Sequence, residues 1–258
     1  MKAHTAAILV VLLTLIGAQR AESQSVPEID HSGRWKRHLI DAKVFRDHGH
    51  SVEVADLNGD GRPDALIAFG ARRLPRPADG VYWYEAPKDA RSGRWVRRRL
   101  TAPALPIRWC MAVAAGDMDN DGDLDVVALS FNEASVYLAI NPLKQGGDIN
   151  QPWRTIKIVD SSHGGRDGER IELVDIDGDG FRDVVFPRGD PADVFNPSGK
   201  LAGKWQDKIV GGHGGSDAHG ILCADLDLDG DLDMVAASGD GSRSGKVYWY
   251  EHPGNDVV

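Results

Sequence analysis

The stretch Asp117-Met118-Asp119-Asn120-Asp121-Gly122-Asp123-Leu124-Asp125 decides the fold, because the chain repeats this nine-residue pattern four times. The other copies are residues 56–64, 175–183 and 225–233, and successive copies begin 61, 58 and 50 residues apart. A short run of apolar residues that favour β-structure follows each copy. A pattern repeated at this spacing indicates a repeat architecture, in which each unit buries its apolar faces against its neighbours.

Each unit of the repeat contains up to four predicted strands. The first ends at the pattern, the second follows it, the third has an aromatic sequence that is degenerate in the third unit, and the fourth begins with Trp. The predicted strands are 51–55, 65–69, 81–85 and 95–100, then 112–116, 126–129, 136–138 and 153–159, then 171–174, 184–186, 193–196 and 205–210, and finally 221–224, 234–237 and 247–251. Four short strands per unit are typical of a β-propeller blade, so we predict an all-β propeller of about four blades.

Closure of the propeller is predicted from the two ends of the repeat region. Residues 35–40 match the Trp-led fourth strand but precede the first unit, whereas the fourth unit stops after its third strand. The early segment is therefore expected to complete the last blade and close a small ring. An open arc and a part of a larger propeller are the alternatives, because about four blades is the low end for propellers.

The nine-residue loops have the composition of calcium sites. Calcium takes about six to eight oxygen ligands, and a tight turn whose odd-numbered positions face inward supplies them. Positions 1, 3 and 5 are always Asp or Asn, position 6 is Gly, position 9 is Asp, and the variable position 7 is expected to use its main-chain carbonyl. The predicted ligands are Asp56, Asn58, Asp60, Arg62, Asp64, Asp117, Asp119, Asp121, Asp123, Asp125, Asp175, Asp177, Asp179, Phe181, Asp183, Asp225, Asp227, Asp229, Asp231 and Asp233.

These loops differ from the calcium loops of helix–loop–helix proteins. Position 12, which is acidic there, falls inside the second strand as Ile67, Ala128, Phe186 or Ala236. We therefore expect about four calcium ions in β-turn sites that close at position 9, with a mainly structural role. Magnesium is disfavoured because it keeps its waters. The plainer alternative is that the Asp residues only form polar turns.

The N-terminus has the features of a secretory signal. A basic start is followed by the apolar run 6–16 and then by small residues. That run is too short to span a bilayer. We predict a signal peptide over 1–22, a linker over 23–34, repeats over 35–258, and a secreted, periplasmic or cell-surface protein with no transmembrane segment beyond the signal.

Net charge and cysteine content exclude some functions. The net charge of −9 comes mainly from the seventeen Asp residues of the loops, and four divalent cations would offset most of it. No electrostatic argument for nucleic-acid binding remains. Cys110 and Cys223 stand at different distances before their loops in units that are not neighbours, so free thiols are predicted rather than a disulfide.

The motifs resemble a known family. The Asp-x-Asp/Asn-x-Asp-Gly-x-x-Asp loop with its following strand is similar to FG-GAP/VCBS repeats over roughly residues 35–253. This resemblance implies calcium-binding blades like those of integrin α-subunit propellers, in which about seven blades are typical. The Val-Tyr-Trp-Tyr-Glu and Trp-led strands have a weaker resemblance to bacterial propellers related to aldos-2-ulose dehydratase.

A candidate ligand site is predicted at the end of the sheets opposite the Asp-rich loops. His-Gly-Gly motifs occur there twice, beginning at positions 163 and 213, and His, Met or Glu stands six residues before each loop. Glycine lets a backbone approach a ligand, and His or Asp binds sugar hydroxyls or moves protons. The candidate residues are His50, His163, Asp167, His213, Asp217 and His219. A Gly-rich turn that satisfies its own backbone is the alternative.

These features predict a binding or scaffold module whose ligand is carbohydrate or an extracellular protein. One alternative is a sugar-processing enzyme, either a dehydratase or isomerase similar to aldos-2-ulose dehydratase or a polysaccharide lyase, that uses the His residues as acid–base groups. No catalytic residue is assigned, because the paired carboxylates of the loops are committed to metal. Another alternative is an adhesion or assembly array that another chain completes, with self-association if the ring is open.

Overall fold

The computed structural model describes residues 36–42, 49–70, 79–105, 107–131, 135–159, 169–188, 190–196, 205–210, 218–238 and 246–254. Its contacts divide the chain into residues 1–39 and residues 40–258, and all strands belong to the second unit. Among the described residues there is no helix that could cross a membrane. The predicted signal peptide and linker lie outside the described residues.

Every regular element in the described ranges is a β-strand. The strands are β1 Gly49–Ala55, β2 Asp64–Phe69, β3 Gly80–Glu85, β4 Val96–Arg99, β5 Cys110–Gly116, β6 Asp125–Ser130, β7 Ser135–Ile140, β8 Arg154–Val159, β9 Glu172–Val174, β10 Asp183–Arg188, β11 Asp190–Asn196, β12 Gln206–Val210, β13 Ala218–Ala224, β14 Asp233–Ser238 and β15 Val247–Tyr250. The predicted strands within the four units are confirmed, and the third strand of the third unit, β11, is a full strand despite its degenerate sequence.

The strands form four antiparallel sheets in chain order, which we number 1 to 4. Sheet 1 is β1–β4, sheet 2 is β5–β8, sheet 3 is β9–β12, and sheet 4 is β13–β15. In each sheet, the last residue of the first strand pairs with the Asp at loop position 9, as in Ala55 with Asp64 and Gly116 with Asp125. The four Asp-rich loops are therefore the same hairpin connection.

Successive sheets pack face against face. We call the face turned towards the following sheet the forward face, and the opposite one the rear face. Leu66 and Trp83 lie on the forward face of sheet 1 and pack against Ala128 and Trp153 of sheet 2, with the two tryptophan rings 6.5 Å apart. Burial of each such side chain stabilises the fold by about 1.5–3 kcal/mol or more.

The same packing recurs along the chain. The forward face of sheet 2 packs on the rear face of sheet 3 through residues such as Leu138 and Phe186. The forward face of sheet 3 packs on the rear face of sheet 4 through Val185 and Ile221. Three apolar clusters thus join four sheets in sequence.

A polar contact also joins sheets 1 and 2. The buried side-chain amide of Asn141 donates to the backbone carbonyl oxygens of Leu57 and Leu124, each at 3.0 Å. Leu57 belongs to the first Asp-rich loop, whereas Leu124 belongs to the second. Since an unsatisfied buried carbonyl is costly, this amide fixes the relative position of neighbouring loops.

One expectation about the ends is corrected. Sheet 4 has three strands, and the described residues 36–42 form no strand, so the predicted completion of the last unit by residues 35–40 is not seen. Asp41 instead accepts a hydrogen bond from the Arg97 guanidinium at 2.8 Å, on the rear face of sheet 1. Both cysteines are free thiols, as predicted.

Candidate metal centres and the opposite end of the sheets

The Asp-rich loops share one internal hydrogen-bond pattern. In the second loop, Asp117 accepts from the backbone N–H groups of Asp121 at 3.2 Å and Gly122 at 3.1 Å, and Asp121 accepts from the N–H of Asp123 at 3.0 Å. The same bonds from positions 5, 6 and 7 recur in the first and fourth loops, and those from positions 6 and 7 also in the third. The common sequence therefore produces a common loop conformation.

Two positions of each loop have a left-handed backbone. Position 6 is Gly in all four copies, with φ between 80° and 102°. Position 4 is also left-handed, but its residue varies: it is Gly59, Asn120, Gly178 or Leu228. Leu228, at φ 65° and 85% exposed, is the unfavourable case because a Cβ clashes with the backbone there. The sequence pattern identified position 6 but not position 4.

The Asp at position 9 is buried and binds the backbone on two sides. One oxygen of Asp125 accepts from the N–H of Met118 at 3.1 Å, and the other accepts from the N–H of Asn141 at 2.8 Å. Asp64 and Asp233 make the same pair of bonds. Position 9 therefore ties its own loop to the chain that leaves the third strand, a role that the sequence reasoning missed.

The side chains at position 7 also contact that outgoing segment. Asp123 accepts from the N–H of Lys144 at 2.9 Å, Arg62 donates to the carbonyl of Ala86 at 3.2 Å, and the Asp231 carboxylate lies 3.7 Å from His252 Nδ1. The structure thus gives these side chains a role in anchoring the loop, beyond the expected use of the carbonyl.

Three loops bring carboxylate oxygens together at distances suited to one cation. The clusters are Asp117, Asp119 and Asp125, then Asp175, Asp177 and Asp183, then Asp225, Asp227 and Asp229, and the oxygens of each lie within 4.8 Å of one another. In the third loop, Asp175 and Asp183 each have a buried Oδ1 with no hydrogen-bond partner among the described residues. Such oxygens are suited to a divalent cation, because an unpartnered buried carboxylate oxygen is otherwise costly.

The first loop differs from the other three. Its position 3 is Asn58, whose amide donates to Asp60 at 2.9 Å, and Asp60 also forms an ion pair with Arg62 of the same loop. A guanidinium beside the position 5 carboxylate competes with a cation for the same negative charge. We infer that this loop has the lowest metal affinity of the four.

Burial raises the pKa of three of the four position 9 carboxyl groups, those of Asp64, Asp125 and Asp183. Loss of solvation raises the pKa of Asp125 to about 7, against the lowering effect of the N–H groups of Asn141 and Met118. Burial raises the pKa of Asp183 to about 7 as well, and the neighbouring carboxylates of its loop add to the effect. Without a cation, the loops are therefore sites of concentrated and unfavourable negative charge.

The opposite end of the sheets carries bulges at the positions singled out in the sequence. Register shifts between Gly49 and Ser51, between Cys110 and Ala112, and between Ala218 and Gly220 leave one extra residue in each first strand. These extra residues are His50, Met111 and His219. Bulges are frequent beside functional sites because they redirect side chains.

One aromatic ring, that of Trp109, lies near His50 at this end. Its Nε2 lies 3.3 Å from the carbonyl oxygen of Gly70, and its ring centroid lies 6.4 Å from that of Trp109. Trp109 packs against Phe131 with centroids 4.2 Å apart and has a left-handed backbone at φ 46°. A bulky residue in this strained conformation is a reason to examine a position for function. His163, Asp167, His213 and Asp217 lie outside the described residues, as does the side chain of His219.

Comparison with known proteins identifies the repeat. The family model for FG-GAP-like repeats matches residues 56–128 and 117–186, which together make up half of the chain. The chain belongs to the FG-GAP-like repeat family. The matched residues contain the first three Asp-rich loops and the strands between them, so the family assignment rests on the loops just described. No curated protein matches the chain.

Two solved structures are similar to the chain. One is an Agrocybe aegerita lectin, described by its specific recognition of non-reducing terminal N-acetylglucosamine, with 19% identity, a TM-score of 0.49, and coverage of 78% of this chain and 52% of the lectin. The other is the V. cholerae biofilm matrix protein Bap1, with 17% identity, a TM-score of 0.40, and coverage of 78% and 30%. Both scores are too low to carry an argument. The weaker resemblance to dehydratase-related propellers gains no support from these comparisons.

The backbone of this FG-GAP-like loop at Leu228 leads to a stability prediction. Replacing Leu228 by Gly removes a Cβ from a left-handed position, and we expect the free energy of unfolding to rise by about 1 kcal/mol. Chemical denaturation at a constant calcium concentration measures this change in the free energy of unfolding. The reciprocal control is Gly59→Leu, which should lose about 1 kcal/mol because the new Cβ meets Leu143 at an ordinary 3.7 Å and only the backbone is strained. A loss of stability in Leu228→Gly would contradict the prediction.

The raised pKa values of Asp125 and Asp183 predict how stability depends on pH without metal. Between about pH 4 and about pH 7 the folded chain keeps protons that the unfolded chain has released. The metal-free protein should therefore lose stability as the pH rises through this range. Thermal melts in a chelator, at constant ionic strength, measure the slope. Calcium should reverse it, because ionised carboxylates bind the cation, and a metal-free stability that rises from pH 5 to pH 7 would refute this account.

Proposed function

We propose that this FG-GAP-like protein is an exported, calcium-stabilised binding or scaffold module of the β-propeller type. The observation that carries the proposal is the carboxylate cluster of the third loop, where Asp175 and Asp183 have buried oxygens without partners among the described residues. Hard oxygen donors without sulfur or imidazole suit calcium. Asp and Asn side chains at positions 1, 3, 5 and 9 would hold the ion, with the weakest site in the first loop.

Calcium in these loops would act on structure rather than on a substrate. The carboxylates lie in the hairpin turns between the first and second strands, and position 9 bonds to the segment after the third strand. A bound cation would neutralise the clustered charge and strengthen these bonds. Its contribution to stability grows with the concentration of free calcium.

Removal of calcium should therefore destabilise the protein. We expect a chelator to lower the melting temperature at pH 8, and stepwise return of calcium to restore it. Asp175→Asn, which keeps the shape of the side chain while removing one ligand charge of the third loop, should weaken the restoration. The matched control is Asp89→Asn, in an exposed turn outside the Asp-rich loops. A melting temperature that does not change with chelator would rule out the metal.

The proposed ligand site lies at the end of the sheets opposite the loops. The imidazole of His50 lies near the half-buried ring of Trp109, which packs on the half-buried ring of Phe131. Sugars bind to proteins through aromatic faces and through polar groups that pair with hydroxyls, and binding residues are commonly found in loops at sheet ends. We propose carbohydrate, either free or on an extracellular protein, as the ligand of this end, with His163, Asp167, His213, Asp217 and His219 as further candidates.

Glycan binding tests this site. On a glycan array, calcium-loaded protein should bind a defined set of sugars, and Trp109→Ala and His50→Ala should each reduce that binding about tenfold or more, as for loss of a stacked ring or of a hydrogen bond to a ligand. Lys88→Ala, an exposed residue in the segment between β3 and β4 outside the Asp-rich loops, is the control. Binding that survives both substitutions together with His213→Ala and His219→Ala would exclude this end as the ligand site. Because these variants keep the Asp-rich loops intact, their result is separate from the calcium test.

A further inference from the structure

The forward face of sheet 4 is exposed, although the same face is buried in the other three sheets. Position 2 of the Asp-rich loop shows the contrast: Leu57, Met118 and Ile176 are 1%, 1% and 8% exposed, whereas Leu226 is 47% exposed. The third strands show it again, since Trp83 is 1% exposed and its counterpart Trp249 is 52% exposed. Leu222 and Val247 on the same face of sheet 4 are exposed too. The repeat therefore builds an apolar packing face here without a following sheet.

The first strand of sheet 1 shows the converse pattern on the rear face of that sheet, whereas Tyr82 and Tyr84 of the third strand are buried on the same face. The corresponding first-strand residues of sheets 2, 3 and 4, namely Val113, Ile171 and Ile221, are 5%, 7% and 3% exposed because the preceding sheet covers them. Val52, at the same register position in sheet 1, is 63% exposed, and its neighbour Val54 is 61% exposed.

A groove lies on the outer part of this rear face. It has a volume of about 780 Å³, and its lining includes Tyr84, Trp95 and Arg97. Trp95 is the counterpart of Trp153, which is buried in sheet 2 against Trp83. In sheet 1 the same tryptophan is half-buried and faces an open groove.

We propose that two copies of this chain associate head to tail, with the forward face of sheet 4 of one copy packed on the rear face of sheet 1 of the other. The contact would repeat the packing between sheets 1 and 2: Trp249 takes the place of Trp83, and Trp95 takes that of Trp153. The two faces are opposite halves of a packing arrangement that the chain already makes three times within itself.

Charge also favours this partner over others. Arg97 and Arg99 lie in register with Tyr84 and Tyr82 on the rear face of sheet 1, whereas the edge of sheet 4 carries the exposed Glu251 and the acidic fourth loop. A basic rear face against an acidic forward end favours the head-to-tail arrangement and disfavours contact between two rear faces. Residues 40–42 line the groove beside Arg97.

A head-to-tail contact uses two different surfaces, so it makes a specific prediction for mutants. In sedimentation velocity with calcium, the unchanged protein should associate as its concentration rises. Trp249→Glu and Val52→Glu should each weaken this association about 30-fold or more, as expected when the centre of an interface is charged. An equimolar mixture of the two variants should recover a dimer and nothing larger, because each retains one intact face.

The control is Arg154→Glu on sheet 2. Arg154 is exposed even though sheet 2 is covered on both faces, so this position lies outside the sheet-to-sheet contact. Arg154→Glu should associate normally. Thermal melts confirm folding of each variant, and Val54→Glu replaces Val52→Glu if that chain is unstable. A monomer at every concentration, association unaffected by Trp249→Glu, or a mixture that forms no dimer would each overturn the proposal.

Discussion

The buried carboxylate at position 9 of each Asp-rich loop is the interaction on which the rest of the structure depends. In sheet 2, Asp125 bonds to the N–H of Met118 in its own loop and to the N–H of Asn141 beyond the third strand. One side chain thereby fixes the turn and the spacing of three strands. Because Asn141 then donates to the loop of sheet 1, the same carboxylate helps to set the distance between sheets. Burial of a charged group is unfavourable here. Hydrogen bonds from backbone N–H groups and, in our proposal, a bound calcium ion offset this effect.

This carboxylate explains why the fold followed closely from the sequence. Asp at position 9 accepts hydrogen bonds from backbone N–H groups, and Gly at position 6 permits a left-handed backbone. Because every loop has both residues, the loop pattern predicted the position of each hairpin. The apolar runs before and after each loop then predicted the first and second strands of each unit. Even β11, whose aromatic pattern is degenerate, forms because its neighbours β10 and β12 pair with it along their length. Sheet pairing overrides a weak local sequence.

The parts that the sequence did not predict depend on contacts between distant residues. Residues 35–40 have the composition of a fourth strand, but composition does not decide which edge a strand joins, and Asp41 beside Arg97 lies against sheet 1. Likewise, no spacing rule indicated that Trp109, which packs on Phe131 at the open end of the β5–β6 hairpin, would lie near His50 of another sheet. The Asp clusters of three loops were predictable because the members of each cluster lie within nine consecutive residues.

The exposure of repeated residues shows which surfaces a repeat protein leaves incomplete. Leu57 and Leu226, or Val113 and Val52, have the same place in the repeat and differ only in whether a neighbouring sheet follows or precedes them. The sequence alone treats each pair as equivalent apolar positions. Only the structure separates them, because burial in a stacked repeat is a property of the neighbour and not of the residue. An apolar residue that stays exposed at the end of such a stack therefore marks a packing surface whose partner must resemble the next sheet.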